Sequence, residues 1–418
     1  MPRSRLMSSA TFDIAVIGAG PAGAVAALCA AQRGFQVALV DQRSFPRDKP
    51  CGDGLGPRVT LALRELGLGD VISDDVPANS LTVHGPDGVD FTTSLASLGG
   101  SLTEGYVVPR ADFDQRLRNA AIAEGAIDLA GNRLMSMELD HGTRSLLVRR
   151  HGREHRFAAR LVIGADGAYS TTRRELGVER PAASRTAIAM RAYSDTSAFD
   201  PSGPMGTRMI FEWSRELLPA YGWVFPTGKG VANVGLGVTL EVLQRRGMDL
   251  REALERFAES CRHRGIELGG LRAHRSHHLP LARSVPPLAH ARAALVGDAA
   301  SMINPLSGEG IAYGIDAAVQ LVSMLPIRLD DDAALGRALS GYERWFRQSH
   351  RRHLLSCSLA YRMMSNPWWA ARVLRAAHAD PIVSRDALDL MFGLGSIRAR
   401  TTWRILRPRP RLRSTDAG

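Results

Sequence analysis

The sequence predicts an α/β fold in which a parallel-sheet domain carries an inserted antiparallel sheet and is followed by a helical region. Three observations predict it. A buried strand pattern at residues 12–17 leads through a glycine turn into a helical pattern at 22–33. Short alternating runs between about 185 and 285 are typical of antiparallel strands. Residues 331–406 are mostly helical in pattern and hold four of the six tryptophans.

The remaining elements follow in an order that fits this fold. They are predicted as a strand at 36–40, a long loop at 44–60, a helix at 110–124, strands at 160–163, 187–192, 222–225, 231–238 and 293–296, and a helix at 311–325. The expected domains are the nucleotide-binding domain at 12–184 and 289–330, the inserted substrate domain at 185–288, the helical region at 331–406 and a basic tail at 407–418.

Length and composition exclude several classes of protein. The chain has 418 residues, too many for one domain of roughly 150. Its 45% hydrophobic and 23% charged residues are ordinary for a globular protein and exclude a disordered, collagen-like or small disulfide-rich chain. The four cysteines lack CxxC spacing, which argues against zinc and against a disulfide framework. We therefore expect a cytoplasmic protein.

Positive charge is concentrated at the C-terminal end. The formal net charge is +11, and residues 398–418 hold seven arginines and one aspartate. A basic tail is usually a solvated end, but it can also lie on an anionic membrane, at about 1 kcal/mol per basic residue. Trp368, Trp369 and Trp403 lie near this tail, which favours peripheral membrane contact. No nucleic-acid-binding pattern accompanies the charge, so nucleic acid is not expected as a partner.

The glycine turn is a candidate dinucleotide site of the Rossmann-like type. Its GxGxxG motif allows the backbone to approach a pyrophosphate, which then lies at the helix N-terminus. Asp41 lies 21 residues beyond Gly20, at the end of the second predicted strand, where a carboxylate binds a ribose hydroxyl. The motif residues are Gly18, Gly20, Pro21, Ala22 and Gly23.

Two later segments resemble motifs of the flavoprotein hydroxylase superfamily. Residues 163–170, IGADGAYS, are similar to its DG motif, and residues 295–300, LVGDAA, to its GD motif. The resemblance implies FAD, with Asp298 at the ribityl and pyrophosphate part and Arg110 within reach. The helix after Gly310 would direct its positive end at the flavin pyrimidine ring and favour an anionic reduced flavin. Besides the glycine-turn residues, the expected cofactor contacts are Asp41, Gln42, Cys51, Gly52, Gly54, Arg110, Leu134, Asp166, Asp298, Gly308, Gly310 and Ile311.

A more specific resemblance is to the geranylgeranyl reductase family, which includes archaeal lipid reductases and menaquinone side-chain reductases. Residues 45–54, FPRDKPCGDG, resemble its PxxCxxG-type loop beside the flavin. Residues 221–226, YGWVFP, then eight residues, then GLG at 235–237, match its YxWxFP and GxG pattern. Together with the flavin motifs, the resemblance covers roughly residues 12–330. It implies an FAD-dependent reductase that saturates isoprenoid C=C bonds of a prenyl lipid, a quinone side chain or a terpenoid.

Saturation of an unpolarised C=C bond needs a hydride at one carbon and a proton at its neighbour. Cys51 is the candidate proton donor; the alternative is a buried cysteine that only packs. Tyr221 and Trp223 are candidate apolar walls for an isoprenoid, with core packing of a sheet as the alternative. The other cysteines, Cys29, Cys261 and Cys357, lie in helical patterns and are interpreted as structural, and the histidines His274, His277 and His278 alternate along a strand, so no metal is expected.

Two alternatives stay open. A flavin-dependent monooxygenase or halogenase acting on a small natural product has the same fold. A halogenase should carry a WxWxIP-type segment and a catalytic lysine, but neither Lys49 nor Lys229 clearly matches. A non-catalytic prenyl-binding protein should have lost the segment around Asp298, which this chain retains. Only one GxGxxG is present, so no separate NAD(P)H domain is expected, and the external electron donor and the oligomeric state stay open.

Overall fold

A computed structural model describes residues 11–75, 77–98, 104–199, 206–228 and 230–407. Lys229 and residues 408–418 of the predicted basic tail therefore lie outside the described residues.

The described residues form strands and helices that alternate along the first two thirds of the chain. The strands are β1 (Thr11–Ile17), β2 (Val37–Asp41), β3 (Gly54–Leu55), β4 (Pro77–Ala78), β5 (Ser80–Gly85), β6 (Val89–Ser94), β7 (Gly105–Val107), β8 (Ile127–Ala130), β9 (Arg133–Asp140), β10 (Thr143–Arg150), β11 (Arg153–Gly164), β12 (Thr186–Asp195), β13 (Met209–Glu212), β14 (Gly222–Pro226), β15 (Val231–Thr239), β16 (Arg272–Pro280), β17 (Ala289–His290) and β18 (Ala293–Leu295). The helices are α1 (Pro21–Gln32), α2 (Pro57–Glu65), α3 (Arg110–Ala123), α4 (Thr171–Glu175), α5 (Leu240–Arg246), α6 (Leu250–His263), α7 (Ile311–Met324), α8 (Asp332–Met364), α9 (Pro367–Ala379), α10 (Pro381–Phe392) and α11 (Ala399–Leu406).

The first sheet has a parallel centre. Its order is β17-β18-β11-β1-β2-β8, and β9 and β10 extend it as an antiparallel hairpin beside β11. Strand β1 pairs in parallel with β2 and β11, and its apolar residues are buried because helices cover the sheet. Helices α1, α3 and α7 pack in the core cluster that includes Ile14 and Val16 of β1. The predicted α/β class is confirmed.

The second sheet has the order β16-β12-β15-β14-β13-β5-β6, and the pairs within β12, β14, β15 and β16 are antiparallel as predicted. This sheet also contains two strands from outside the expected substrate domain, because β5 and β6 come from the segment assigned to the nucleotide-binding domain. Strand β5 pairs in parallel with β13, and Leu81 and Val83 pack in the same core cluster as Phe211. Sequence periodicity does not show such a pairing between segments far apart in the chain.

The predicted loop at 44–60 is shorter in the structure. Strand β3 follows Asp53, and α2 begins at Pro57. Proline is favoured in the first turn of a helix, because its missing N–H would have no partner there. The high content of glycine and proline predicted a loop throughout this segment, whereas Pro57 is the first residue of a helix.

The C-terminal helices pack against the loop that precedes α7. The amide of Asn304 donates to the Leu390 carbonyl oxygen at 2.9 Å, and the Ser307 hydroxyl donates to the Met391 carbonyl oxygen at 2.8 Å. These two hydrogen bonds fix the position of this loop relative to helix α10. Within the described part of the chain, none of the helices is both long and apolar enough to cross a bilayer.

Candidate functional site

A cavity of about 640 Å³ lies where the carboxyl ends of the first sheet meet one face of the second sheet. Parallel strands commonly present ligand-binding residues at this edge. The cavity is lined by nearly all of the predicted site residues, namely Gly18, Gly20, Pro21, Ala22, Asp41, Gln42, Cys51, Gly52, Gly54, Arg110, Leu134, Asp166, Tyr221, Trp223, Asp298, Gly308, Gly310 and Ile311. Gly23 does not line it; an added Cβ there would lie 1.8 Å from the Gly18 carbonyl oxygen, so Gly23 allows the close packing of the turn.

The glycine turn fits the pyrophosphate of a dinucleotide. Gly18 has φ +103°, and a Cβ on it would lie 2.3 Å from the carbonyl oxygen of Ala165. Only glycine fits at position 18, because the ends of β1 and β11 approach each other closely there. Helix α1 begins at Pro21 with no side chain capping its first turn and no acidic residue there. Its N–H groups are therefore arranged for an external anion.

Asp41 holds the backbone of this turn. Its carboxylate accepts hydrogen bonds from the N–H of Ala19 at 2.9 Å and from the N–H of Arg43 at 2.8 Å, and Arg47 lies 3.7 Å away. A carboxylate has about four acceptor positions, so those left can accept a ribose hydroxyl.

The DG segment shapes its own loop. Asp166 accepts from the hydroxyl of Ser170 and, at 2.9 Å, from the N–H of Thr172. Burial raises the pKa of Asp166. Arg173 is buried and donates to the carbonyl oxygen of Ala168 at 2.9 Å. These contacts hold the 164–170 turn at the edge of the cavity.

Lys49 is a site residue that sequence reasoning did not assign to the cofactor. Its Nζ lies 2.8 Å from Oδ2 of Asp298, and both line the cavity. Burial alone would raise the pKa of Asp298, but Lys49, with His277 and Arg110 beyond it, holds that pKa below its usual range. The carboxylate of Asp298 is therefore ionised and available as an acceptor.

Arg110 lies beside Cys51. Its guanidinium donates twice to Asp114, at 2.7 and 2.8 Å, and its charge interacts with the thiol of Cys51. Arg47 makes a further ion pair with Asp114, at 3.0 Å. Cys51 is a free, half-buried thiol that faces the cavity.

An aromatic wall faces Cys51 from the second sheet. Tyr221, Trp223 and Phe225 are spaced by two residues, so they lie on one face of this sheet, with Phe211 5.1 Å from Phe225 between ring centres. The hydroxyl of Tyr221 donates to the carbonyl oxygen of Ser307. Gly235 makes room for the indole, because a Cβ there would lie 2.1 Å from Trp223. These aromatic residues belong to a core cluster and also line the cavity. Core packing and a role as an apolar wall, the two interpretations given by the sequence, are therefore compatible.

Glu309 is a second residue that sequence reasoning missed. It lies in the loop before α7 and accepts from the N–H of Ala312 at 2.8 Å. Burial raises its pKa to about 7, against the opposing effects of that hydrogen bond and of Arg58. Its neighbours Gly308 and Gly310 were expected at the cofactor, so the signal lay in the same segment, but only the glycines were interpreted.

The remaining cysteines and histidines have separate places. Cys29, Cys261 and Cys357 lie on α1, α6 and α8. Of the three histidines of β16, His277 lines the cavity; His278 bonds Tyr169 at 2.9 Å, and His274 lies 3.4 Å from Glu255.

Comparisons with known proteins agree with this site. Residues 11–350 match the family model described as an FAD binding domain. Menaquinone reductase of Mycobacterium tuberculosis (strain CDC 1551 / Oshkosh) is 35% identical over 321 residues, covering 76% of this chain and 77% of the relative. Digeranylgeranylglycerophospholipid reductase of Methanosphaerula palustris is 30% identical over 346 residues, covering 81% of this chain and 82% of the relative.

The fold is also that of a solved protein. A geranylgeranyl bacteriochlorophyll reductase-like protein from Thermoplasma acidophilum has a TM-score of 0.79 at 23% identity, covering 91% of this chain and 96% of that protein. The cavity, with its glycine turn free of side chains and its ionised carboxylate at Asp298, fits FAD. The chain is an FAD-dependent oxidoreductase, and it belongs to the FAD binding domain family and, within it, to the geranylgeranyl reductase family.

Proposed function

We propose that this enzyme saturates C=C bonds of an isoprenoid chain. The observation that carries the proposal is the placement of the Cys51 thiol, with the aromatic wall, in the same cavity as the cofactor residues. Two relatives are named as reductases of menaquinone and of a digeranylgeranyl lipid, both of which carry isoprenoid chains.

The proposed reaction balances as the addition of one H₂ per double bond. Bound FAD, once reduced, supplies a hydride to one carbon of the C=C bond. Cys51 gives its proton to the neighbouring carbon and is then reprotonated from solvent. Arg110, whose charge interacts with the thiol, stabilises the transient thiolate.

The substrate side of the cavity is apolar enough for an isoprenoid. Beyond Cys51 the lining is contributed by the second sheet, by the 303–306 loop and by the C-terminal helices. Its apolar members are Met209, Phe211, Phe225, Leu279, Leu281, Ile303 and Phe392. Apolar lining with few polar groups is typical of a site for an unpolarised chain.

The alternative, a monooxygenase or halogenase, shares the fold, and fold alone does not decide between them. The ion pair of Lys49 with Asp298 favours the reductase, because it leaves this ammonium bound at the cofactor side of the cavity. The retained Asp298 segment argues against a protein that only binds a prenyl chain.

The mass of the product tests the proposed function. Under argon, with chemically reduced enzyme and a prenyl lipid or a prenyl quinone supplied as its quinol, the product should gain two hydrogen atoms per reduced bond. A product that contains an added oxygen atom, formed only in air, would support the monooxygenase instead.

We also propose that the FAD is held by the residues expected from the sequence, and Asp41 gives a direct test. Asp41→Ala should raise the FAD dissociation constant about 10- to 150-fold, since a hydrogen bond to a charged group contributes about 1.5–3 kcal/mol. The measurement is a fluorescence titration of apoprotein with FAD. Asp13→Ala is the control, because Asp13 pairs with Arg160 outside the cavity lining. Equal dissociation constants for Asp41→Ala and wild type would contradict this role.

We further propose peripheral contact with an anionic membrane through α9 and α11. Trp368 and Trp403 are 59% and 61% exposed, and Arg372 and Arg407 lie over their rings at 5.4 and 5.5 Å. Arg372 also donates to the carbonyl oxygen of Leu406, so the two helices lie side by side. Neither helix contains an acidic residue, and the sequence beyond Arg407 adds three arginines. Exposed indoles beside arginines suit the interface of an anionic bilayer.

Vesicle binding tests this surface. Trp368→Ser with Trp403→Ser should weaken binding to phosphatidylglycerol vesicles several-fold, because two apolar rings no longer enter the interface. Deletion of 408–418 removes three arginines and should weaken binding by up to about 100-fold, since each basic residue contributes about 1 kcal/mol. The deletion should lose its effect in high salt, whereas the tryptophan variant should keep it. Ile327→Ser removes an exposed apolar residue from the α7–α8 connection and is the control. Unchanged binding in both variants would contradict the proposal.

A further inference from the structure

A buried hydrogen-bond bridge connects the Cys51 loop to the second sheet, through residues to which no role has been assigned above. Asp53 is 1% exposed, and its φ of 61° puts it in the left-handed region that non-glycine residues rarely adopt. Its carbonyl oxygen accepts from the N–H of Val108 at 2.9 Å. The loop is therefore held in an unfavourable conformation by contacts on both sides.

The carboxylate of Asp53 joins three elements. Oδ1 accepts from the N–H of Arg110 at the start of α3, at 3.1 Å. Oδ2 accepts from the hydroxyl of Tyr193 on β12 and from the amide of Asn233 on β15, each at 2.7 Å. Tyr193 and Asn233 are directly paired across the two strands, so both side chains project from the same face of the sheet.

Asn233 connects the backbone of Cys51 to the aromatic wall. Its Nδ2 donates to Asp53 and, at 2.8 Å, to the carbonyl oxygen of Cys51. Its Oδ1 accepts from the indole Nε1 of Trp223 at 2.9 Å. An indole N–H can only donate, which fixes the orientation of the amide. One buried side chain thus sets the distance between the backbone of Cys51 and Trp223.

From this geometry we propose that Asp53 and Asn233 are positioning residues that hold the Cys51 thiol against the aromatic wall. The proposal rests on the proposed function for its catalytic meaning, but the bridge itself can be measured without any substrate.

The charge of Asp53 gives the bridge a pH dependence. Burial raises the pKa of Asp53 to about 6, against the hydrogen bonds of Tyr193, Asn233 and the Arg110 N–H and the charge of Arg191. These are the polar and charged groups that face Asp53 from α3, β12 and β15. Below this pH the carboxyl group is protonated while three hydrogen-bond donors still face it. The protonated oxygen becomes a donor itself, so one hydrogen bond of the bridge is lost.

The test compares the rate at which iodoacetamide alkylates Cys51, followed by peptide mass mapping, in Asp53→Asn, Asn233→Ala and wild type. Well above pH 6, Asp53→Asn should react about five- to tenfold faster than wild type, as expected when a buried hydrogen bond that holds a loop is lost. Asn233→Ala, which removes three hydrogen bonds of the bridge, should react at least as fast as Asp53→Asn. For Asp53→Asn the ratio of variant to wild type should fall towards one well below pH 6, because wild type has then also lost one hydrogen bond of the bridge. For Asn233→Ala the ratio should stay above one at every pH.

Ser194→Ala is the matched control. Ser194 is a buried residue next to Tyr193 whose hydroxyl bonds Gly269, so the variant loses a hydrogen bond on the same strand without touching the bridge. Its alkylation rate should equal that of wild type. Tyr193→Phe, which removes one donor to Asp53, provides a milder variant should Asn233→Ala fail to fold.

Isoprenoid turnover completes the test. The bridge variants should bind FAD normally but turn over about 10- to 100-fold more slowly, since a misplacement of about 1 Å costs that much. Ratios of one at every pH in the bridge variants would overturn the positioning role. Raised ratios in an enzyme whose wild type reduces no isoprenoid would support the bridge and refute the proposed function.

Discussion

Cys51→Ala should lose about 10²- to 10⁴-fold in the rate of C=C saturation, the usual contribution of a general acid. The variant should still fold, bind FAD and accept electrons, because the residues proposed to hold the pyrophosphate and the ribose lie in the glycine turn and at Asp41, away from the thiol. The measurement is single turnover of the reduced enzyme with a prenyl substrate under argon.

Cys29→Ala is the matched control for this prediction. Cys29 packs against the main core on α1, and burial raises its pKa to about 11. Its removal should change turnover far less. Full turnover by Cys51→Ala would place the acid elsewhere, with Tyr221 next, although the hydroxyl of Tyr221 already donates to Ser307 and burial raises its pKa. Loss of FAD from Cys51→Ala would make Cys51 a cofactor contact instead.

Asp298→Ala should weaken FAD binding. The variant loses an acceptor for the cofactor and leaves Lys49 in the cavity without its partner. The first loss alone corresponds to about 1.5–3 kcal/mol, or about 10- to 150-fold in the dissociation constant. An unpaired, partly buried ammonium also lowers the stability of the apoprotein. Purified protein should therefore be nearly colourless, and equilibrium dialysis of the apoprotein gives the constant.

The control for Asp298 is another partly buried ion pair. Asp316 of α7 pairs with Arg58 at a similar exposure but does not line the cavity. Asp316→Ala should lower the melting temperature and leave the FAD dissociation constant unchanged. If Asp298→Ala and Asp316→Ala bind FAD equally well, the ion pair with Lys49 is structural and Asp298 does not hold the cofactor.

Local patterns predicted which residues of the first sheet line one cavity. The glycine turn, Asp41 at the end of β2 and Asp298 after β18 all follow a buried strand of a parallel sheet, so sequence order alone brings them to one edge. The resemblance to a known family added Cys51 and the aromatic wall, which line the same cavity. Strand and helix bounds in this part differ from the predicted ones by a few residues, with β11 extending further towards its N-terminal end.

The residues that sequence reasoning missed depend on contacts between distant segments. Lys49 and Asp298 are 249 positions apart, and Asp53 and Asn233 are 180 apart. A lone lysine or asparagine has no periodicity that would show its partner. The same holds for β5 and β6, whose place in the second sheet is set by pairing with β13. The bridge through Asp53 could be recognised only once the two sheets were in place.

Reoxidation of the reduced flavin by a prenyl substrate, in the absence of oxygen, tests the central claim most directly. Wild-type enzyme is reduced with dithionite under argon, and excess reductant is removed. A prenyl lipid without a quinone ring, or a prenyl quinol, is then added while the visible absorbance of oxidised flavin is recorded, since a quinone ring would itself oxidise the flavin. The account predicts that the absorbance returns in proportion to the double bonds reduced, and that Cys51→Ala stays reduced on the same timescale. A flavin that stays reduced with every prenyl substrate and is reoxidised only when air is admitted would contradict it.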